Sequence, residues 1–120
     1  MATVLVVEDD ESSLELVTAL LERLGHEAAP ARSAEQAVLV LRGRRPALVL
    51  MDVRLPGEDG LALTRRLKAD PATASIPVVA LTAHARPADR DEALAAGCAA
   101  WIAKPVDTRL LARTVARLVR

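Results

Sequence analysis

At 120 residues, 52% of them hydrophobic, the chain has the size of one domain and enough apolar side chains to bury a core without disulfides or structural metals. The 16 basic and 16 acidic side chains cancel, which leaves no electrostatic case for direct binding to nucleic acid or to an anionic membrane. Cys98 is the single cysteine, so an internal disulfide is excluded, and with only His26 and His84 beside it there is no zinc cage. No apolar run approaches the roughly 20 residues of a membrane span, and Met1-Ala2-Thr3 leads into strand-like sequence without a charged leader, so a soluble cytoplasmic protein is expected.

Val4 to Val7 is a short, wholly apolar run of strand length. Leu14, Val17, Leu20, Leu21 and Leu24 then repeat at the spacing of one helix face, and Gly25 follows as a stop at the position just past the helix. A weak strand is expected near Glu27 to Ala31. Ser33 with Gln36 has the form of a capping box and starts a helix that turns Ala37, Val38 and Leu41 inward. Leu48 to Met51 is the second strong strand, a helix is expected around Leu63 to Leu67, and Val78 to Leu81 is the third strong strand. An alanine-faced helix over Asp89 to Ala96 and a short strand at Trp101-Ile102 come next. A final helix carries Leu110, Leu111, Val115, Leu118 and Val119 on one stripe and Arg109, Arg113 and Arg117 on the other side.

The strong strands are apolar throughout rather than alternating, as strands are when helices cover both faces of a parallel sheet. Strand and helix alternate about five times with no linker, so residues 1 to 120 are expected to form one doubly wound α/β domain with right-handed crossovers.

In such a sheet the functional crevice lies beyond the carboxyl ends of the strands. Glu8, Asp9 and Asp10 follow the first strong run, Asp52 the second, Thr82 the third, and Lys104-Pro105 the last. Taken singly, each has a plain explanation as a cap or turn residue, and Asp10 reads as the start of the first helix. Together they deliver carboxylates, a hydroxyl and an ammonium to one edge. Two carboxylates about 4 Å apart repel by roughly 4 kcal/mol at an effective dielectric near 20. Three converging here require positive charge, from Lys104 and from a hard cation such as Mg²⁺ or Mn²⁺. A carboxylate beside such a cation can act as nucleophile toward a phosphoryl group. Asp52, directly after the central strand, is the expected acceptor; Glu8 and Asp9 are placed to hold the metal, and Thr82 and Lys104 to contact phosphoryl oxygens.

Four stretches, Val4 to Asp10, Leu50 to Gly60, Ile76 to Ala83 and Ala96 to Pro105, make the chain resemble the receiver domains of bacterial two-component response regulators along its whole length, with single-domain chemotaxis regulators as a similar case. The resemblance implies a flavodoxin-like sheet of five strands in the order 2-1-3-4-5 flanked by five helices. It implies that Asp52 is phosphorylated by a phosphohistidine on a sensor kinase or histidine phosphotransfer protein. Mg²⁺ would then be held by Asp9, Asp52, the backbone carbonyl of Arg54 and, through water, Glu8. It makes Thr82 and Trp101 the switch residues, places Arg54 and His84 where side chains affect dephosphorylation, and implies a cis Lys104-Pro105 peptide. Ala99 and Ala100 stand where regulators that dimerise through their last elements carry an acidic pair, so a monomer or weak dimer is expected. The resemblance further implies an unknown downstream protein target, met through a surface around Arg86, Arg90, Trp101 and Arg113 by analogy with the family's output face.

Other functions fit less well. A phosphatase of the haloacid-dehalogenase type wants an aspartate acid two positions after its nucleophile, where this chain has Arg54, which cannot exchange a proton at neutral pH. A flavin module needs a phosphate-cradling loop where Glu8-Asp9-Asp10 would repel the phosphate. A receiver that works by protein contact without phosphorylation is the remaining alternative, and the intact acidic, threonine and lysine positions argue against it.

Overall fold

The computed structural model describes residues 2–83 and 86–119. Along them run β1 (Thr3–Val7), α1 (Glu11–Arg23), β2 (Glu27–Ala31), α2 (Ala34–Gly43), β3 (Leu48–Asp52), α3 (Gly60–Ala69), β4 (Val78–Thr82), α4 (Pro87–Ala95), β5 (Ala100–Ala103) and α5 (Thr108–Leu118). The strands form one five-stranded parallel sheet in the order β2-β1-β3-β4-β5, as the sequence led us to expect. Asp52 and Thr82 turn out to be the last residues of their strands rather than the first residues beyond them.

Alternation along the strands divides the core in two. Val4, Val6, Leu48, Leu50, Val79, Leu81 and Ile102 pack with Leu14, Val17 and Leu21 of α1 and Leu111 and Val115 of α5. Leu5, Val7, Val49, Met51, Val78 and Ala80 pack on the opposite face with Ala34, Ala37, Leu61, Leu63, Leu67 and Ala93 of α2, α3 and α4. The alanines of α2 and α4 let those helices lie close to the sheet, which is how a core with no Phe or Tyr is filled.

The helix starts are set by short polar side chains. Asp10 caps α1 by accepting the Ser13 N–H at 2.9 Å, which is the plain role its position indicated. Ser33 caps α2 through the Gln36 N–H, while the Gln36 side chain accepts from the Arg32 N–H, one residue earlier than a reciprocal capping box requires. Gly25, at φ +86°, ends α1 as expected, with the His26 N–H reaching back to the Leu21 carbonyl. Two inward expectations fail: Leu24 is the C-cap residue of α1 and is exposed, and Leu110 lies at the exposed edge of the α5 stripe. No helix among the described residues is long and apolar enough to cross a membrane.

Candidate functional site

The strand order reverses at β1, so the crevice opens where β1 and β3 end side by side. The Glu8 N–H donates to the Ala31 carbonyl at 2.9 Å, carrying the β1 ladder one residue past its end and fixing the Glu8 backbone. The Glu8 side chain is fully buried. Its Oε1 accepts from Lys104 Nζ at 2.6 Å and its Oε2 from the Asp10 N–H at 3.2 Å. Asp52, 5% exposed, accepts the Arg54 N–H at 3.1 Å on Oδ1 and lies 3.4 Å from Lys104 Nζ through Oδ2. Asp9 is exposed, and one carboxylate oxygen from each of Glu8, Asp9 and Asp52 lies within 4.8 Å of the others.

Lys104 reaches this point because β5 pairs with β4 in a register that sets Thr82 opposite Ala103. The Lys104 N–H then bonds to the Thr82 carbonyl at 2.7 Å, and the Lys104-Pro105 peptide is cis, as the resemblance implied. Thr82 is buried one residue beyond the level of Asp52 on the adjoining strand. Trp101 pairs with Ala80 and is half-buried against the core on the side of α2, α3 and α4. The structure thus brings Glu8, Asp9, Asp52, Thr82 and Lys104 to one edge. Arg54 lies on the loop after β3, and His84 lies outside the described residues.

A family model described as the response regulator receiver domain matches residues 4–116. The chain belongs to the response-regulator receiver family. It is 37% identical over 113 residues, 94% of the chain and 92% of the relative, to the polar-differentiation response regulator DivK of Brucella anthropi. It is similar in structure to the receiver domain of a signal transduction histidine kinase from Syntrophus aciditrophicus, with TM-score 0.91, 36% identity and coverage of 99% and 90% of the two chains. It is also similar to the receiver domain of a sensor histidine kinase from Pseudomonas aeruginosa, with TM-score 0.90, 34% identity and coverage of 98% and 97%. That structure holds a magnesium ion coordinated in its active-site cleft. Receiver domains are signalling domains whose general function is phosphorylation-dependent switching.

The electrostatics of this receiver follow from its burial pattern. Burial pushes the Asp52 carboxyl up to about 7, helped by a side-chain hydrogen bond with Glu8 and by the Glu8 charge; the Arg54 N–H and Lys104 oppose the shift only in part. Burial also works against the Lys104 ammonium, but the hydrogen bond to Glu8 and the charges of Asp52 and Glu8 outweigh it and hold Lys104 above the ordinary lysine range. One ammonium therefore serves two buried carboxylates, with a third exposed beside them. That all-oxygen donor set, short of positive charge and open on the Asp9 side, fits a hard divalent cation of the kind receiver domains bind.

The residue that sequence reasoning missed is Gly60. Its N–H donates to the Val53 carbonyl at 2.8 Å, and a Cβ there would sit 2.1 Å from the Asp52 carbonyl oxygen and 3.0 Å from Met51 Cγ. Thr64, fully buried, donates its hydroxyl to the Gly60 carbonyl at 2.8 Å and secures that turn. The start of α3 thus rests directly on the backbone of Asp52. In the sequence the only signal was a glycine just ahead of the expected helix, and the structure puts it inside the first turn, where glycine is disfavoured. Gly60→Ala is expected to cost about 1–3 kcal/mol by overpacking, read from urea denaturation. An unchanged midpoint would show that α3 does not bear on Asp52.

Proposed function

We propose that this receiver is a cytoplasmic switch in which Asp52 accepts a phosphoryl group from the phosphohistidine of a sensor kinase or histidine phosphotransfer protein. An Asp52 oxygen attacks phosphorus, the P–N bond breaks, and the histidine leaves as a neutral imidazole after taking up a proton. The observation that carries the reading is the Lys104 ammonium, 2.6 Å from Glu8 and 3.4 Å from Asp52, with Thr82 ending the adjoining strand. Lys104 is placed to pair with one phosphoryl oxygen and Thr82 to donate its hydroxyl to another. Asp9, Asp52 and the Arg54 carbonyl, with Glu8 through water, would hold Mg²⁺ or Mn²⁺, which when bound neutralises charge on the phosphoryl oxygens.

The added phosphoryl carries about two negative charges, which draws Thr82 inward and alters the setting of Trp101 on the neighbouring strand, so that a partner protein meets a changed surface. The side chains of Arg54 and His84 tune how fast water removes the group. The protein acts as a monomer or weak dimer and binds neither nucleic acid nor membrane itself.

The test is intact mass after incubation with acetyl phosphate and Mg²⁺, comparing the native chain with Asp52→Ala, with and without a chelator. One phosphoryl adduct is expected, lost in the variant and lost on chelation. An adduct that survives Asp52→Ala would place the chemistry elsewhere. A native chain that takes no adduct, either here or from a histidine kinase, would leave it a receiver that works by contact alone.

A further inference from the structure

The first turn of α4 shares a small cavity with Thr82 and with Val53 and Arg54, the two residues directly after Asp52. Val53, Arg54, Leu61, Thr82, Arg86 and Ala93 are among the residues lining a space of about 120 Å³, which sets Thr82 at the end of β4 and Arg86 at the start of α4 on the same void. Arg86 is the N-cap residue of α4, but its side chain caps nothing. Instead its Nε donates to Asp89 Oδ2 at 3.0 Å and its Nη2 to Asp89 Oδ1 at 3.4 Å.

This pair is built to be exchanged. The Arg86 side chain is 75% exposed while that of Asp89 is 22%, and an ion pair whose guanidinium is so open to water holds only weakly. Asp89 lies in the first turn of α4, where the free N–H groups of the helix favour a negative charge with or without the guanidinium. A phosphoryl on Asp52 would replace one of the three carboxylates of the site with a group carrying about two negative charges, beside the Glu8 and Asp9 carboxylates and with Lys104 shared between Glu8 and the phosphoryl. A guanidinium fork matches phosphoryl oxygens at least as well as a carboxylate.

We propose that Arg86 is an exchangeable counter-charge: bonded to Asp89 at rest, it crosses the shared cavity to a phosphoryl oxygen when Asp52 is phosphorylated, and so reports the modification to α4. The inference rests on the Asp52 reading and adds a phosphoryl ligand contributed by α4. Competition between Asp89 and the phosphoryl for one guanidinium makes the two members of the pair act in opposite senses. Arg54 lines the same cavity and stays constant in the comparison below.

The experiment measures the affinity of the full chain for beryllofluoride, a tetrahedral stand-in for the phosphoryl group, by calorimetry at saturating Mg²⁺. Native protein is compared with Arg86→Gln, Asp89→Asn and the double variant. Arg86→Gln is expected to weaken binding about fivefold, the scale of one charge-assisted hydrogen bond in a solvated setting. Asp89→Asn is expected to tighten it about twofold by freeing the guanidinium, and the double variant should match Arg86→Gln. Because the Arg86 side chain is exposed, Arg86→Gln should melt as the native chain does; the two variants carrying Asp89→Asn give up a favourable charge in the first turn of α4, so affinities are compared well below every melting temperature. Equal affinity in Arg86→Gln, or both single variants shifting affinity the same way, overturns the exchange while the Asp52 reading stands. A native chain that neither binds beryllofluoride nor takes an adduct from acetyl phosphate overturns both.

Discussion

Replacing Asp52 with asparagine is expected to make the metal-free protein more stable, by a margin that grows as pH rises. Burial, then Glu8, raises the folded-state carboxyl to about 7, whereas in the unfolded chain it titrates at about 3.9. Between those values the folded state holds the proton and the unfolded state has released it. Native stability therefore falls with rising pH across that window and levels off above it. The side-chain amide of the Asp52→Asn variant has the same shape as the carboxyl and no proton to lose. The gap between variant and native protein should be small near pH 4 and reach about 4 kcal/mol at most by pH 8, since each pKa unit is worth about 1.4 kcal/mol. The Asp52 side chain is only 8% exposed, so little of this is lost to screening. Added Mg²⁺ should close the gap by stabilising the native chain more than the variant. Urea melts at pH 5 and pH 8, with and without Mg²⁺, check it; a gap that is independent of pH would mean that Asp52 is not held under electrostatic strain.

Lys104→Met should act in the opposite direction. It removes the ammonium that donates to Glu8 at 2.6 Å and leaves a carboxylate with no exposed surface beside Asp52. Breaking a buried pair from one side costs about 3–5 kcal/mol, because the remaining charge is uncompensated. In a domain of this size that lowers the melting temperature by roughly 10–20 °C. The companion variant Glu8→Gln/Lys104→Met, which removes both charges, should recover most of the loss. A double variant as unstable as the single one would show that Lys104 contributes through packing rather than charge. Because Lys104 is held above the ordinary lysine range, its contribution is constant at neutral pH and fades only as pH rises through that raised value.

Much of the site was legible because an α/β sheet turns strand order into geometry. Once Val4 to Val7, Leu48 to Met51 and Val78 to Leu81 are recognised as buried parallel strands, the residues at their carboxyl ends must share an edge, and these are Glu8, Asp9, Asp52 and Thr82. Helix ends were legible where a side chain caps its own turn, as at Asp10 and Ser33, because that chemistry is complete within three or four residues. The orientation of Leu24 and Leu110 was not, since helical periodicity shows which residues share a face but not how far the sheet covers it. The weak β2, whose run includes Pro30, forms because it pairs with β1 from Thr3↔Glu27 to Val7↔Ala31.

By itself the sequence determined the class of fold, the edge on which the chemistry lies and the types of group gathered there, because each depends on local periodicity or on what directly follows a strand. Only the tertiary structure decided which of those groups touch and how deeply each is buried. Lys104 lies 96 residues from Glu8 in the chain, and the β4–β5 register and the bond to the Thr82 carbonyl bring the two to 2.6 Å. The seat of Gly60 on the Asp52 carbonyl and the cavity shared by Thr82 and Arg86 are likewise contacts between elements. Such contacts are set by packing distances of a few ångströms, and spacing along a chain carries no measure of them.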